Sequence, residues 1–477
     1  MTNPIIIQGG MGIAVSNWRL ARAVSKIGQL GVISGTSLDG VLARRLQDGD
    51  PGGHMRRALD AFPFKDSAKR IIDKYFVTGG IKKEHNYTQV PMFKVENNDD
   101  LNELTVAANF TETYLAKEGH NGLVGVNYLE KVQLPHLPSI YGALLAGIDY
   151  IIMGAGIPLE IPGILKTLAD NCKATMKINV DNAAKEDNFF TQFDPAALFG
   201  KELPSLKMPR FLPIISSNFL ATLMAKKASG PIDGFIIENF QAGGHNAPPR
   251  GKMNFDEWGE PIYGDRDMVD IEKIKELGLP FWLAGSYGGP DKLQAALATG
   301  AAGIQVGTAF ALCEESAIVS DLKKQIIQKM SRDEEEISTD TKASPTGFPF
   351  KVIKLADTIS ESSVFQTRRK VCNLGYLRTL YKKDDGSVGY RCPAESKAVF
   401  EKKGGTSDEL TAGKKCLCNA LFATVGLPTG YKDGTIEKPL VTIGSNVESI
   451  KKLIKEKTEF SAEDVVDFIL KPEKSIQ

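Results

Sequence analysis

His245 is the side chain best suited to move a proton in this sequence. It closes the run from Phe235 to His245, in which an apolar stretch, Phe235 to Ile237, is followed by a short polar link and the pair Gly243 and Gly244. An imidazole takes or gives a proton near neutral pH. Two residues without a β-carbon let the backbone turn sharply and lie close to a flat ligand. An apolar strand ending just before these residues puts them where parallel α/β folds keep their chemistry, past the C-terminal end of a strand. Taken alone, the same stretch reads equally as a strand, a glycine turn and an incidental surface histidine, so the rest of the chain has to decide.

Two further strand ends point to an anion. The run Pro280 to Ala284 leads into Gly285, Ser286, Tyr287 and two more glycines, and the run Ile304 to Val306 leads into Gly307 and Thr308. Helix N-termini and unhindered glycine amides offer several N–H donors to a phosphate, and the loops after the last two strands of a (β/α)8 barrel are its usual place. One such loop merely permits a tight turn; two in succession favour a phosphorylated ligand. Cys372, Cys392, Cys416 and Cys418 are a separate group, gathered late in the chain. Four thiolates satisfy zinc or an iron–sulfur cluster, but the spacing matches no common Cys-x2-Cys signature, so ordinary thiols are the simpler reading and no metal is expected. Pro51-Gly-Gly-His54 repeats the glycine–histidine motif without a preceding strand and reads as a loop or helix start. His120 and His136, beside Gly or Pro, are expected at the surface.

The elements that position these residues alternate. Apolar runs at 4–7, 31–34, 122–128, 149–153, 211–216, 233–237, 280–284 and 302–306 give eight strands. Helix-length amphipathic segments lie between most of them, at 139–146, 160–169, 218–227, 268–277 and 291–299, and Asn17 is placed to cap the first helix. Strand, crossover helix, parallel strand, repeated eight times, predicts a closed (β/α)8 TIM barrel over residues 1–312. Two stretches exceed one crossover, about 39–110 and 173–209, and are read as insertions that partly cover a pocket. After residue 312 the pattern gives way to charged helical sequence and then a cationic, glycine-rich part, so 313–477 is expected to be a helical, cysteine-bearing C-terminal extension.

Bulk composition narrows the partners. At 477 residues the chain fits one large barrel with additions. Its 58 basic and 58 acidic residues leave no net field to attract nucleic acid or an anionic membrane. No apolar run approaches the roughly eighteen residues that cross a bilayer. The N-terminus carries no basic or cleavable apolar segment, so a cytoplasmic protein with a small-molecule substrate is expected, its cysteines reduced.

In order along the chain, Pro4-Ile-Ile-Ile-Gln-Gly-Gly-Met11, Gly125-Val-Asn-Tyr128, Gln241-Ala-Gly-Gly-His245, Leu283-Ala-Gly285 and Gly303-Ile-Gln-Val-Gly-Thr-Ala-Phe310 resemble the strand-end motifs of the nitronate monooxygenase (2-nitropropane dioxygenase) family. That family is similar in fold and flavin site to the FMN-dependent enoyl-acyl-carrier-protein reductases. The resemblance covers residues 4 to 312 and none of the extension. It implies FMN, with its phosphate on Gly285, Ser286, Gly307 and Thr308, and with Gly10, Met11 and Asn127 against the ring and ribityl chain. Gln241, Gly243 and Gly244 are expected to contact the cofactor as well. Read from the residues, Glu238, Gln241 and Tyr287 are candidates to line the pocket, and Arg250 reads first as a solvated side chain, with holding an anionic substrate as the alternative. His245 becomes the expected acid or base of an enzyme that oxidises alkyl nitronates with dioxygen. The alternatives are reduction of an enoyl thioester with NAD(P)H, or a flavin-binding scaffold with an interaction module. The sequence departs from the family's Gln-Gly-x-Glu-Ala-Gly-Gly-His: Glu238 stands where the family has Gln and Gln241 where it has Glu, so the charge near the flavin has moved.

Overall fold

The computed structural model describes residues 3–82, 86–406 and 412–471. Eight parallel strands close into a barrel: β1 (Ile6–Gln8), β2 (Leu30–Ser34), β3 (Val124–Leu129), β4 (Tyr150–Gly154), β5 (Arg210–Ile215), β6 (Phe235–Glu238), β7 (Phe281–Ala284) and β8 (Gly303–Val306). Closure falls on β1, where Ile7 lies opposite Gln305 on one side and Leu30 on the other. The TIM barrel expected from the eight alternating units is therefore the fold.

Side chains of successive strand residues point to opposite faces, and that period sorts the core. Ile7, Val32, Ile152, Leu212, Ile236 and Trp282 fill the inside of the barrel, while their neighbours Ile6, Ile33, Ile151, Phe211, Phe235 and Phe281 pack outward against the helices. The Trp282 indole also donates to the Pro4 carbonyl at 2.7 Å, which closes the end where the strands begin. Asn17 caps the helix Trp18–Lys26 through its side-chain oxygen, as its position before the apolar face predicts.

Between β2 and β3 the chain forms four helices, Leu38–Gln47, His54–Ala61, Lys65–Tyr75 and Asp99–Lys117. Between β4 and β5 it adds a hairpin of Ala174–Lys177 and Phe190–Phe193. The part after residue 312 differs from the expected helical extension. Beside helices such as Ser320–Ser331, Leu417–Thr424, Glu448–Glu456 and Ala462–Leu470 it contains strands Ile337–Asp340, Phe350–Ile353, Thr379–Lys382 and Val388–Arg391. The last two pair antiparallel across Asp385 and Gly386, an Asp-Gly turn with Gly386 at φ +80. That dipeptide between short aromatic and β-branched runs is a hairpin signal that the sequence reading did not use. Phe350–Ile353 reaches back to the barrel and pairs with Gly244–His245, placing Phe350 opposite His245.

Candidate active site

The catalytic candidate and the glycine loops meet over the C-terminal ends of the strands. A cavity of about 210 Å³ is lined by Gly10, Met11, Asn127, Glu238, Gly244 and His245 from the barrel. A second chamber of about 110 Å³ adjoins it, with Gln241, Gly285, Ser286, Tyr287 and Ser449 in its wall. Gly10, Met11, Glu238, Gly243, Gly307 and Thr308 line both. Neither lining includes a lysine or arginine, so an anion there would rest on amides and hydroxyls.

The β1 turn needs its glycine. A β-carbon on Gly10 would stand 2.6 Å from the Asn127 Cβ, so the backbone can approach β3 this closely only without one. Asn127 donates its amide to the Gly10 carbonyl at 3.4 Å, while its Oδ1 is buried without a protein partner. The Met11 amide is already committed to the Ser16 hydroxyl at 3.1 Å, which leaves the Met11 side chain and the Gly10 backbone to face a ligand. At the β7 end, Gly285 has φ +92 and Ser286 φ +66, and the Ser286 hydroxyl is buried with no partner. A non-glycine residue held in the left-handed region carries strain. Its orphaned hydroxyl sits in the chamber where the glycine loops converge. Thr308 accepts from the Gly444 amide at 2.9 Å, and its own hydroxyl proton remains for another acceptor.

These features fit a flavin with its phosphate in the smaller chamber. An unpartnered Asn127 oxygen beside a glycine turn suits a ring edge that carries an N–H. The unpartnered Ser286 hydroxyl and the amides of the last two strand ends suit a phosphate.

Two titratable groups at the strand ends, His245 and Glu238, are shifted in opposite directions by the same cause. Burial pushes His245 down to about 4, so the ring is neutral at physiological pH. Its Nε2 shares a 2.7 Å hydrogen bond with the Ser344 hydroxyl, and its ring makes an edge-to-face contact with Phe350 at 4.8 Å between centroids. Burial pushes Glu238 up to about 7, with no side-chain partner among the described residues to hold the carboxylate. Glu238 is therefore the group of the cavity that changes charge near neutrality.

The cover comes from the C-terminal extension. Phe350, Leu377, Leu417, Leu421, Leu440 and Val441 line the larger chamber opposite the strand ends. The segment after Val441 is laid directly on the histidine loop. The Ser445 amide donates to the Gln241 carbonyl at 3.0 Å, and a β-carbon on Gly243 would come within 2.8 Å of the Ile443 carbonyl carbon. Neither 39–110 nor 173–209, expected to partly cover the pocket, contributes to the lining of either chamber. Residues of both, Phe93 and Asn179 among them, line a separate cavity of about 290 Å³ on the other side of Tyr376 and Leu377. The insertion acts on the wall from behind, through the Tyr376 hydroxyl, which donates to the buried Asp39 at 2.8 Å.

Of the other sequence expectations, some hold and some do not. Arg250 is exposed and outside the cavity lining, its amide bonded to Asp267. His136, expected at the surface, is 2% exposed: it opens the helix His136–Leu145 and bonds the Leu129 carbonyl through Nε2 at 2.9 Å. Its apolar helix face carries it inside, and burial holds it down at about 4. His54 starts the helix after Gly53 and packs its ring 5.0 Å from Trp18, away from the site. Cys372, Cys392, Cys416 and Cys418 lie together, but among the described residues no group of three or more His, Cys, Asp and Glu is arranged to hold a metal ion. Sequence reasoning missed Ser344, Phe350, Tyr376 and the 440–444 segment. The last has a usable signal, Leu440-Val-Thr-Ile-Gly444, an apolar, β-branched run ending in glycine.

A closed barrel of eight parallel strands, with glycine-rich strand ends around two adjoining chambers, defines the TIM-barrel class. Residues 200–363, about a third of the chain, match the nitronate monooxygenase family, in agreement with the resemblance of the strand-end motifs. No curated protein matches in sequence. Among solved structures, FabK from Thermotoga maritima is 17% identical over 98% of this chain and 92% of its own, with a TM-score of 0.48. Nitroalkane oxidase from Streptomyces ansochromogenes is 13% identical over 97% and 94%, with a TM-score of 0.45. Among the described residues no helix is long and apolar enough to cross a membrane.

Proposed function

We propose that the protein binds FMN and oxidises small alkyl nitronates with dioxygen. The observation that carries this reading is the pairing of a neutral His245 with a Glu238 that has no side-chain partner among the described residues in one largely apolar-walled cavity, beside the Gly10 turn and the orphaned Asn127 oxygen. FMN held by Gly10, Met11 and Asn127 at its ring and by Gly285, Ser286, Gly307 and Thr308 at its phosphate would supply the electron-accepting ring and the reactivity toward dioxygen.

The chain's own part is to receive an anion without a fixed cation. A nitronate has already lost its α-proton, so the site needs donors more than a strong base. Protonated Glu238 donates one hydrogen bond to a nitronate oxygen. With the Nε2 proton of His245 given to Ser344, Nδ1 is left as an acceptor; with the Ser344 proton given to Nε2, Nδ1–H is a donor for the second oxygen. The contact with Phe350 and the bond to Ser344 hold the ring in place in either case. The apolar cover strengthens these bonds by excluding water. Above about pH 7 Glu238 ionises and repels a nitronate, so binding weakens with rising pH.

One observation favours a second reading, reduction of an enoyl thioester with NAD(P)H: the aliphatic wall of Leu417, Leu421, Leu440, Val441 and Ile443 suits an acyl chain. A single experiment separates the two. The purified protein should be yellow, and anaerobic addition of propyl-2-nitronate should bleach its visible flavin bands. Bleaching by NADPH and not by the nitronate would replace the oxygenase with the reductase. A colourless protein that does not take up FMN would refute both.

A further inference from the structure

The cysteine group in the extension serves none of the roles above, and its arrangement has chemistry of its own. Cys372 lies in the loop after the helix Ser362–Thr367, and Cys392 directly follows the strand Val388–Arg391. The fold brings them together with Cys416 and Cys418 in one small cluster. Within it the thiols of Cys372 and Cys392 lie within interaction range of each other. The two differ in access. Cys392 is 5% exposed, whereas Cys372 is half-buried and follows the exposed residues Arg369, Lys370 and Val371. The Glu395 carboxylate and the Arg378 guanidinium both act on the Cys372 thiol, the first opposing its thiolate and the second favouring it. Partial exposure is the setting of a reactive cysteine; a second thiol within reach is the setting of a resolving one.

We propose that Cys372 and Cys392 are a peroxide-reactive dithiol, Cys372 the attacking and Cys392 the resolving residue. The Cys372 thiolate attacks one oxygen of hydrogen peroxide. The O–O bond breaks, hydroxide leaves and takes up the proton released by Cys372, and the sulfur is oxidised by two electrons to a sulfenic acid. The Cys392 sulfur then attacks that sulfur, the S–O bond breaks, and the hydroxide leaves with the Cys392 proton as water. In sum, two thiols and one peroxide give one disulfide and two waters. The neighbouring Cys392 thiol holds Cys372 below its ordinary range against the opposing effects of burial and of Glu395, which favours the first step. Cys392, Cys416 and Cys418 are all buried, but the strongest influence on the Cys392 thiol is Cys372, whereas on Cys416 and Cys418 it is burial, so Cys392 is the resolving partner and the other two remain reduced.

The disulfide would act on the active site through the chain it closes. The segment between the two cysteines carries Tyr376 and Leu377, which line the larger chamber. Cys418 lines the same chamber. A covalent tie at the base of this loop fixes the chamber wall.

The test uses the full-length protein, treated with hydrogen peroxide at one- to several-fold molar excess, alkylated in denaturant and mapped by mass spectrometry. A Cys372–Cys392 cross-linked peptide, with Cys416 and Cys418 alkylated as before, is the expected result. In the Cys392→Ser protein, dimedone should label Cys372 at least tenfold faster than Cys172, an exposed thiol elsewhere on the surface. Cys372→Ser should abolish the cross-link and leave Cys392 unlabelled. Any other pairing, or Cys372 reacting no faster than Cys172, overturns the proposal. So does stoichiometric zinc or iron in the purified protein with all four thiols of the cluster silent. If either variant fails to fold, the relative alkylation rates of Cys372 and Cys172 in the unmodified protein decide alone.

Discussion

The floor and the roof of the larger chamber are built on opposite principles. The floor, at the barrel's strand ends, is backbone, glycine and a few polar side chains with unfilled hydrogen-bonding capacity: Gly10, Asn127 and Glu238, continued by Ser286 in the adjoining smaller chamber. The roof, from the extension, is aliphatic and aromatic, with its polar groups satisfied internally, as Tyr376 is by Asp39 and Thr424 by the Ala420 and Leu440 carbonyls. Unfilled polar groups are costly in a protein interior unless something binds them. The difference therefore assigns ligand recognition to the floor, and water exclusion and substrate shape to the roof.

The largest effect should follow from filling the floor. Gly10→Val forces β1 away from Asn127, and the purified variant should lose at least 90% of its flavin, read as visible absorbance per protein, while circular dichroism keeps the barrel signal. Retention of full flavin would remove the β1 turn from the ring site. Next, His245→Ala should retain flavin but lower turnover by about 10²-fold, the usual worth of a positioned proton carrier or donor. A loss under threefold would make His245 structural.

The roof is tested by Phe350→Ala. This side chain is 2% exposed and braces His245, and its truncation should cost about 3 kcal/mol of stability and lower turnover as well. A variant with unchanged melting temperature and activity would dissolve the distinction between the two surfaces.

A smaller effect belongs to Glu238→Gln. In the native protein KM for the nitronate should rise as pH passes about 7, because the carboxyl loses its donor proton; in the variant KM should be flat between pH 6 and 8.5. The stability signs are opposite for the two buried groups. His245 is held below its unfolded value, so its contribution is present above the ordinary histidine pKa and lost as pH falls toward about 4. Glu238 is held above its unfolded value, so its contribution is present below the ordinary carboxyl pKa and lost as pH rises toward about 7. The smallest effect is expected from Ser286→Gly, which relieves a φ of +66 and should raise stability by under about 1 kcal/mol while weakening FMN retention a few-fold.

The floor was legible in the sequence because each of its parts is local. A strand, a glycine turn and a helix start are neighbours in the chain, so period-2 apolar runs and Gly-Gly-His, Gly-Ser and Gly-Thr junctions place His245, Gly285 and Thr308 at strand ends without any knowledge of what surrounds them. The roof was not legible, because its residues come from 344 to 443 and acquire meaning only through the strand Phe350–Ile353 pairing with Gly244–His245. His136 illustrates the same limit in miniature: Pro and Leu neighbours look like a loop until the helix they begin is packed.

By itself, the sequence determined the closed barrel and the order of its strand-end motifs, since alternation of apolar strands and amphipathic helices leaves parallel closure as the compact arrangement. Only the tertiary structure decided which group changes charge near neutral pH. His245 and Glu238 have ordinary values in an extended chain. Burial beneath the extension disfavours the charged form of each, and it is that shared desolvation that makes the histidine a neutral fixture and the glutamate the titrating residue.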